Sequence, residues 1–383
     1  MERKRIVILG STGSIGRQTL DVVREHPERL EVVGLAAGSR VVELAEQAAE
    51  FGAPACVCDT SRYADLCDAL QATALAGEAG LCELAALPEA DLVVGAISGL
   101  AGLAPVLAAL EAGNDVALAN KEPLVAAGAL VTAAAAHSGA ALLPIDSEIS
   151  AVFQALNGES LSCIEKLILT ASGGPFSAYP LEELAAVSPQ QALDHPTWRM
   201  GRKVTIDSAT LANKGFEVFE LHWMFGVPFS QIEVVVHHQS IVHSAVQFCD
   251  GSVIAQLGLP DMRTAIQYAL FHPERAVNRL PRLDLAALGQ LTFARPDLER
   301  FPCLRLAYEA GRAGGSYPAV LNGADEEAVG LFLDGRIAFL DIPRSIEAAI
   351  EAHEPFELDS LSEILAADAW ARDYVRTRCE AGH

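Results

Sequence analysis

The chain has few basic side chains, few closely spaced cysteines and no apolar run long enough to cross a membrane. Its 27 Lys and Arg residues are outnumbered by 50 Asp and Glu residues, which gives a formal net charge of −23. A surface this acidic repels polyanions, so nucleic acids and anionic membranes are not expected as partners. A phosphorylated ligand would need a local cationic pocket. The longest apolar runs, at 100–110 and 124–136, are Ala-rich and too short to span a bilayer.

The eight cysteines are scattered, and only Cys56 and Cys58 lie close together in the sequence. A zinc site would need a second such pair, so none is predicted. Reduced thiols and a cytoplasmic location are expected instead. The segment after Met1 passes directly into an apolar strand, so no targeting peptide is expected.

Apolar runs alternate with helical patterns in the first half of the chain. The runs lie at 5–9, 31–37, 91–96, 115–119 and 140–146. Strands separated by helices imply parallel pairing through right-handed crossovers. Residues 1–150 are therefore predicted to form a Rossmann-like, doubly wound α/β sheet.

The pattern changes after residue 150. Residues 151–271 mix strand-like runs with a helix around 208–225, which favours a central α+β domain with a partly antiparallel sheet. Residues 272–300 are rich in Pro, Arg and Leu and show little periodicity, so we interpret them as a connector. Helical patterns dominate 301–383 and predict a C-terminal helical domain.

A glycine-rich turn follows the first predicted strand. Gly10, Gly13 and Gly16 are spaced three apart and precede a helical pattern. Small residues let the backbone approach a pyrophosphate, and the free amides of the next helix attract the anion. Thr12 and Ser14 can add hydroxyl donors. Any strand-to-helix turn tolerates glycines, but the position after the first strand favours a dinucleotide site.

Gly38, Ser39 and Arg40 stand where a site for NAD usually carries an acid. A hydroxyl and a guanidinium at this place favour the 2′-phosphate of NADP. The alternative is an exposed arginine in a loop.

Three acids follow or flank apolar segments. Asp146 and Glu148 are two apart on an expected strand end, which would send both side chains to one face, and Glu217 lies on a predicted helix. Converging carboxylates repel unless a cation lies between them. Three carboxylates without His or Cys suit Mg²⁺ or Mn²⁺. The alternative is that these acids are solvated, as most are.

A second polar cluster lies between residues 172 and 217. Asn213, Lys214 and Glu217 are three or four apart and share one side of a helix. Ser208 is expected near the start of that helix, as a cap or an anion donor. Ser172 follows an apolar strand in a glycine turn that can bind phosphate. Each serine alone would usually belong to a turn or cap a helix, but together with a lysine they favour a phosphate site.

His195 and Trp198 lie in an irregular, polar stretch. A Trp in such a stretch suits a lid that closes over a ligand, or a buried anchor for the loop. Asn120, Lys121 and Glu122 follow another apolar strand, the usual place for ligand contacts in an open α/β sheet.

Together these segments resemble the 1-deoxy-D-xylulose 5-phosphate reductoisomerase family over nearly the whole chain. The motifs that carry the resemblance are GSTGSIG at 10–16, ANKE at 119–122, DSE at 146–148, SGGPF at 172–176, HPTWRMGRK at 195–203, DSAT at 207–210, NKGFE at 213–217 and LGLPDMR at 257–263. Several ordered motifs at compatible spacing are more specific than any one of them.

The resemblance implies an NADPH- and divalent-metal-dependent oxidoreductase of the non-mevalonate isoprenoid pathway. It would isomerise 1-deoxy-D-xylulose 5-phosphate and reduce the product to 2-C-methyl-D-erythritol 4-phosphate, in the first committed step of the pathway. It implies an NADPH-binding domain at 1–150, a catalytic domain at 151–271 with a mobile flap at 172–202, the connector at 272–300, the helical domain at 301–383, and a homodimer.

The resemblance also implies roles for individual residues. The metal ligands would be Asp146, Glu148 and Glu217, with Mg²⁺ or Mn²⁺ as the ion. Catalytic roles fall to Lys121, Glu148, His195 and Trp198. Contacts to the phosphorylated sugar substrate fall to Lys121, Ser147, Glu148, Ser172, His195, Ser208, Asn213, Lys214 and Glu217. Contacts to NADPH fall to Thr12, Gly13, Ser14, Ile15, Gly38, Ser39, Arg40, Asn120, Glu122, Met200 and Gly201.

Four positions depart from the family's usual pattern. Ile149 stands where many relatives have His, which removes a polar group beside the expected metal ligands. Pro123 and His238 replace the more usual Ser and Pro. Ser39 replaces a common Lys, so the preference for NADP would rest partly on Arg40.

Two other functions stay open at this point. A different dehydrogenase, acting on a semialdehyde or on homoserine, could share the N-terminal half but would have no strict need for metal. An NADP-binding sensor without activity would keep the glycine turn yet lose ligands, and the presence of all three acids and Lys214 argues against it.

Overall fold

The computed structural model describes residues 3–382. Met1, Glu2 and His383, which belong to the predicted first and last domains, lie outside the described residues. The chain divides into two compact units. The first comprises the described residues up to Pro123 together with Ala129–Ser150 and Asp261–Leu280. The second comprises Leu124–Gly128, Ala151–Pro260 and the described residues from Pro281 onward.

Seven parallel strands form the sheet of the first unit, in the order β4-β3-β2-β1-β5-β6-β7. Their bounds are Lys4–Leu9 (β1), Leu30–Ala37 (β2), Ala55–Val57 (β3), Leu75–Ala76 (β4), Leu92–Gly95 (β5), Asp115–Leu118 (β6) and Leu142–Pro144 (β7). The central strands are buried on both faces. Consecutive residues such as Ile6, Val7 and Ile8, whose side chains alternate between the two faces, are all fully inaccessible. The predicted doubly wound α/β sheet is confirmed.

Helices connect these strands and supply the covering layers. The connecting helices are Ser14–Glu25 (α1), Val41–Phe51 (α2), Tyr63–Leu70 (α3), Gly77–Ala85 (α4), Leu103–Glu111 (α5) and Glu122–Ser138 (α6), and Ser147–Ala155 (α7) follows the last strand. All six connections join parallel strands, so every strand ends at the same edge of the sheet. Ligand contacts in open α/β sheets concentrate at this carboxyl edge.

The second unit contains a four-stranded sheet in the order β11-β10-β8-β9. The strands are Ile164–Ala171 (β8), Ile232–Val236 (β9), Val242–Phe248 (β10) and Val253–Leu257 (β11). β8 and β9 are parallel, whereas β10 is antiparallel to both β8 and β11. This confirms the predicted partly antiparallel α+β architecture.

The remaining helices follow in chain order. They are Leu181–Leu184 (α8), Pro189–Leu193 (α9), Arg202–Thr210 (α10), Ala212–Phe225 (α11), Met262–Phe271 (α12), Leu285–Leu288 (α13), Cys303–Ala313 (α14), Tyr317–Leu333 (α15), Asp341–Ala352 (α16) and Leu361–Glu380 (α17). Helices α14 to α17 pack on one another and form the predicted C-terminal helical region. Across residues 3–382, no helix combines the length and the apolarity of a membrane span.

Helix α12 belongs to the first unit although it follows β11 in the chain. It packs against α1 and β7. Lys4 Nζ donates to the Leu270 carbonyl at 2.9 Å, and the Arg29 guanidinium lies 4.5 Å from the centre of the Phe271 ring. The division into segments 1–150, 151–271, 272–300 and 301–383 stays a prediction. The structure differs from it at α12, which the prediction places in the catalytic domain.

Candidate active site

The glycine-rich turn joins β1 to α1, as the sequence predicts. Gly10 has φ of +93°, and a Cβ atom there would lie 2.3 Å from the Ala96 carbonyl oxygen. A Cβ at Gly16 would lie 2.3 Å from the Gly10 oxygen. The turn therefore has no room for larger residues at these two places. The first amides of α1 lack intrahelical partners, as in every helix, and lie beside this turn.

The end of β2 lies directly beside the glycine turn. The N–H groups of Gly10 and Ser11 both donate to the Ala36 carbonyl at 2.8 Å. Ser39 and Arg40 follow within four residues, and both are exposed. The two predicted parts of a dinucleotide site, the pyrophosphate turn and the 2′-phosphate loop, thus share the carboxyl edge of the sheet.

The third predicted cofactor segment follows β6 at the same edge. Asn120, Lys121 and Glu122 are all less than 9% exposed. The Asn120 amide nitrogen donates to the Gly99 carbonyl at 3.3 Å, while its Oδ1 is buried and has no hydrogen-bond partner. A buried oxygen without a donor is costly unless a ligand supplies one. The segment therefore fits a bound cofactor with hydrogen-bond donors.

The strand-end interpretation of Asp146 and Glu148 is wrong. β7 ends at Pro144 and α7 begins at Ser147, so Asp146 lies between them and Glu148 lies in the first turn of a helix. The Lys121 ammonium pairs with Asp146, and the Ser147 hydroxyl donates to Glu148. Ile149 is fully buried and contributes to the core.

Ser208 does not lie at a helix start, contrary to expectation. It occupies the last turn of α10, and α11 begins only at Ala212 after Leu211 adopts a left-handed conformation with φ of +63°. The break turns the chain, so that Ser208 and the first turn of α11 line the same cavity.

That cavity lies wholly within the second unit. It is lined by Ala171, Ser172, Gly173, Ser208, Leu211, Asn213 and Lys214. Gly174, with φ of +67°, lets the turn after β8 approach α10, because a Cβ there would lie 2.7 Å from the Ser208 oxygen. Two serine hydroxyls, an amide and an ammonium thus meet in one place, as the sequence predicts for an anion site.

Glu217 lies one helical turn beyond this cavity and is 1% exposed. It accepts hydrogen bonds from Asn213 Nδ2 at 2.5 Å and from Lys214 Nζ at 2.6 Å. The predicted shared face of α11 is confirmed. Asn213 Oδ1 is buried and has no hydrogen-bond partner, so a ligand with a donor would satisfy it.

The segment between α9 and α10 is irregular and carries His195 and Trp198. His195 Nε2 lies 2.9 Å from Ser172 Oγ, while its Nδ1 accepts from the backbone N–H groups of Thr197 and Trp198. Burial lowers the pKa of His195, and the nearby Lys214 ammonium lowers it further. The half-buried Trp198 ring makes an edge contact with His243, with centroids 6.1 Å apart. Met200 is half-buried, and Gly201 precedes α10.

Two sets of polar contacts in the second unit were not found from the sequence. Arg300 donates to the carbonyls of Tyr179 and Ser177, at 2.5 and 3.0 Å. Lys203 lies 2.8 Å from Asp207 and 2.9 Å from Asp325, and both carboxylates are buried. The i,i+4 spacing of Lys203 and Asp207 could have indicated the first pair, but partners more than a hundred residues away leave no local signal.

Comparison with known proteins gives one consistent result. A family model described as 1-deoxy-D-xylulose 5-phosphate reductoisomerase matches residues 6–128, and the model of its C-terminal domain matches 142–225. A third, described as the DXP reductoisomerase C-terminal domain, matches 257–374.

Full-length relatives agree with these matches. The 1-deoxy-D-xylulose 5-phosphate reductoisomerase of Heliobacterium modesticaldum is 55% identical, over 99% of this chain and 98% of its own length. That of Pelotomaculum thermopropionicum is also 55% identical, over 97% of each chain.

Two solved structures are similar over nearly their whole length. One is the 1-deoxy-D-xylulose 5-phosphate reductoisomerase of Zymomonas mobilis in complex with NADPH, with 42% identity and a TM-score of 0.92 over 99% of this chain and 100% of that one. The other is a DOX-P reductoisomerase in complex with NADPH, fosmidomycin and magnesium, with 40% identity and a TM-score of 0.94 over 98% of each chain.

Proposed function

Because the chain belongs to the 1-deoxy-D-xylulose 5-phosphate reductoisomerase family, we propose that it converts 1-deoxy-D-xylulose 5-phosphate to 2-C-methyl-D-erythritol 4-phosphate. The reaction uses NADPH and a divalent metal ion and is the first committed step of the non-mevalonate isoprenoid pathway. Membership over the whole chain argues against a semialdehyde or homoserine dehydrogenase. A catalytically inactive NADP-binding sensor is the alternative that activity measurements must address.

The observation that carries this proposal is the cavity of the second unit. Ser172, Ser208 and Lys214 offer two hydroxyls and an ammonium within one small, buried space. A phosphate dianion accepts hydrogen bonds from such donors, and the bond from an ammonium is the stronger, charge-assisted kind. Binding energy from this remote phosphate would orient the reacting carbon atoms of the sugar.

The first unit supplies the features that NADPH binding needs. Thr12, Gly13, Ser14 and Ile15 form the pyrophosphate turn, and Gly38, Ser39 and Arg40 form the loop for the 2′-phosphate. The unpartnered Oδ1 of Asn120, beside Glu122, is available to a donor of the cofactor, such as a ribose hydroxyl. Met200 and Gly201 on the flap are proposed to contact the nicotinamide end.

Asp146, Glu148 and Glu217 are proposed to hold one divalent ion. All three side chains end in carboxylates, so each would supply an oxygen ligand. Hard oxygen ligands without His or Cys fit Mg²⁺ or Mn²⁺. When bound, such an ion polarises carbonyl and hydroxyl oxygens of a substrate.

The remaining polar residues have roles that follow from their positions. The Lys121 ammonium, buried beside Asp146, would stabilise negative charge that develops on a substrate oxygen. Ser147 and Glu148 would hydrogen-bond the substrate hydroxyls. Trp198 would exclude water when the flap covers the substrate. His195 would support the phosphate end through its contact with Ser172.

A homodimer is proposed on the basis of an exposed sheet edge. β11 is the last strand of the second sheet, and its Val253 and Ile254 are 55% and 42% exposed. Leu285 and Phe293 in the same unit are also exposed. An open edge that carries apolar side chains is a template for pairing with another chain.

A cytoplasmic location is also proposed, since all eight cysteines are free thiols.

The first experiment is to follow NADPH consumption by its absorbance, with 1-deoxy-D-xylulose 5-phosphate as substrate. We expect oxidation of NADPH in the presence of Mg²⁺ or Mn²⁺ and none after EDTA treatment, because the divalent ion held by the carboxylates would polarise the substrate oxygens. Turnover that resists EDTA would contradict the metal role. A folded protein that binds NADPH but stays inactive with every metal would be a sensor, and Ile149 would be the first position to mutate.

A second test replaces one proposed ligand. Glu217→Gln keeps the shape of the side chain but removes its charge, so we expect metal-dependent turnover to fall by at least ~100-fold while the Kd for NADPH stays within about twofold. Glu220→Gln is the matched control, since it also removes a carboxylate that is 1% exposed on α11. Near-normal activity of Glu217→Gln would rule out this ligand assignment.

A further inference from the structure

The hydrogen bonds of His195 determine which of its ring nitrogens carries hydrogen. Nδ1 accepts from the N–H of Thr197 at 3.1 Å and from the N–H of Trp198 at 2.9 Å. A nitrogen that accepts from amides has no hydrogen of its own, so the ring is neutral and carries its hydrogen on Nε2. Nε2 therefore donates to Ser172 Oγ, which lies 2.9 Å away.

The hydrogen bonds that Ser172 accepts determine the direction of its hydroxyl. Its oxygen accepts from His195 Nε2 and from the Gly174 N–H at 3.3 Å, which uses both of its lone pairs. The hydroxyl hydrogen is then left to donate to another acceptor. Ser172 lines the cavity with Asn213 and Lys214, where a phosphate oxygen would be that acceptor.

We propose that neutral His195 is a positioning residue with two separate effects: Nδ1 holds the turn that carries Trp198, and Nε2 directs the Ser172 hydroxyl toward the substrate. The second effect rests on the proposed function, because it requires a phosphate in the cavity. The first effect is a property of the protein without ligand and can be tested without turnover.

Protonation of His195 would remove the first effect. An imidazolium carries hydrogen on both nitrogens and cannot accept from the two amides. Since burial and Lys214 lower its pKa, the ring stays neutral at pH values somewhat below the ordinary pKa of 6.5. The neutral form is lost only as the pH falls through the lowered pKa. Other charged or titratable groups near the turn are His243 on β10, which faces Trp198, and the flanking Asp194 and Arg199.

Two substitutions separate the two effects. In His195→Asn the side-chain oxygen takes the place of Nδ1 and can accept from the amides two and three residues ahead, as in an Asx turn, but it cannot reach Ser172. In His195→Gln the amide group takes the place of Nε2 and can donate to Ser172, but no acceptor remains at the place of Nδ1. His238→Asn is the matched control, since His238 Nδ1 also bonds to Ser172, at its carbonyl.

The environment of Trp198 reports on the first effect. We would label the three tryptophans with fluorotryptophan and assign the Trp198 fluorine resonance through Trp198→Phe. In the ligand-free wild type and in His238→Asn, the resonance should shift with a midpoint below pH 6.5. In His195→Asn it should stay at its neutral-pH position throughout, and in His195→Gln it should be displaced at all pH values. A wild-type titration that persists in His195→Asn would assign it to His243 and overturn the proposal.

Steady-state kinetics report on the second effect. His195→Asn should raise the KM for the sugar phosphate ~10-fold with kcat nearly unchanged, as expected for one misdirected hydrogen bond to a charged group. His195→Gln should lower kcat ~10-fold with KM within about threefold, because closure over the substrate is impaired. Equal changes in both variants would mean that His195 acts through a single direct contact. If the wild type shows no turnover, the proposed function fails, while the resonance data still decide the role of Nδ1.

Discussion

Among the single residues, Arg40 carries the most specific prediction about the cofactor. It is exposed immediately after β2, at the edge that also holds the glycine turn, and Ser39 beside it has no charge. We expect Arg40→Ala to raise the KM for NADPH by at least ~10-fold and the KM for NADH much less, since only NADPH has the 2′-phosphate. The measurement is the ratio of kcat/KM for the two cofactors.

The control for Arg40 is another arginine of the same unit. The Arg62 side chain pairs with Asp65 at 2.6 Å on the surface, so Arg62→Ala changes the net charge by the same amount without replacing a side chain of the loop after β2. Its cofactor ratio should match the wild type. Equal effects of Arg40→Ala on NADPH and NADH would show that the arginine does not contact the 2′-phosphate.

Residue positions could be predicted where local spacing decides them. Asn213, Lys214 and Glu217 share a face because a helix places residues three and four apart together. Ser208 could not be placed correctly, because the helix break at Leu211 requires a left-handed conformation that leucine seldom adopts. Only the packing around the break can explain it, and packing partners are distant in the sequence.

At the scale of elements, α15 contains two glycines in different surroundings. A Cβ at Gly323 would lie 2.4 Å from the Asp368 backbone oxygen on α17, while a Cβ at Gly330 would meet nothing within 4 Å. We expect Gly330→Ala to raise the free energy of unfolding by about 0.5–1 kcal/mol, since alanine is the better helix former. Gly323→Ala should lower it by about 1–3 kcal/mol through overpacking.

Chemical denaturation of both variants measures these changes, and each serves as the control for the other. A lower free energy of unfolding in both variants would mean that the higher helix propensity of alanine does not stabilise α15. No loss in Gly323→Ala would mean that α15 and α17 can move apart without cost, contrary to their close approach at Asp368.

Elements were predictable where the pattern is local. The apolar runs of the parallel strands identified β1, β2, β5, β6 and β7 within a few residues, because strands buried on both faces read as continuous apolar segments. The alternation of side chains along a strand does not apply to Asp146 and Glu148, since the strand ends at Pro144 and a helix begins at Ser147. The boundary between a strand and a helix depends on two or three residues, which pattern alone does not resolve.

For the whole molecule, the open edge at β11 leads to a prediction about assembly. Wild-type protein should elute with the mass of two chains in light scattering coupled to size exclusion. Val253→Lys together with Ile254→Lys should shift the equilibrium toward one chain, because charges on an edge strand oppose pairing. Val42→Lys is the control, since Val42 is 70% exposed on α2 in the other unit.

An unchanged dimer in the double variant would place the interface elsewhere. A wild type with the mass of one chain would reject the homodimer altogether. Composition could not decide this point, since an exposed apolar strand is recognised only once its neighbours in the sheet are known.

The return of α12 to the first unit affects how the protein is made. Residues up to Ser150 supply all seven strands of the parallel sheet, but the helix that packs on α1 and β7 is encoded more than a hundred residues later. Proteins fold progressively during synthesis, from the N-terminus onward. The ribosome must therefore release the chain to about Leu280 before Lys4 and Arg29 can meet Leu270 and Phe271 on α12. Until then the surfaces of α1 and β7 that pack on α12 stay uncovered, and that interval is when chaperones would bind.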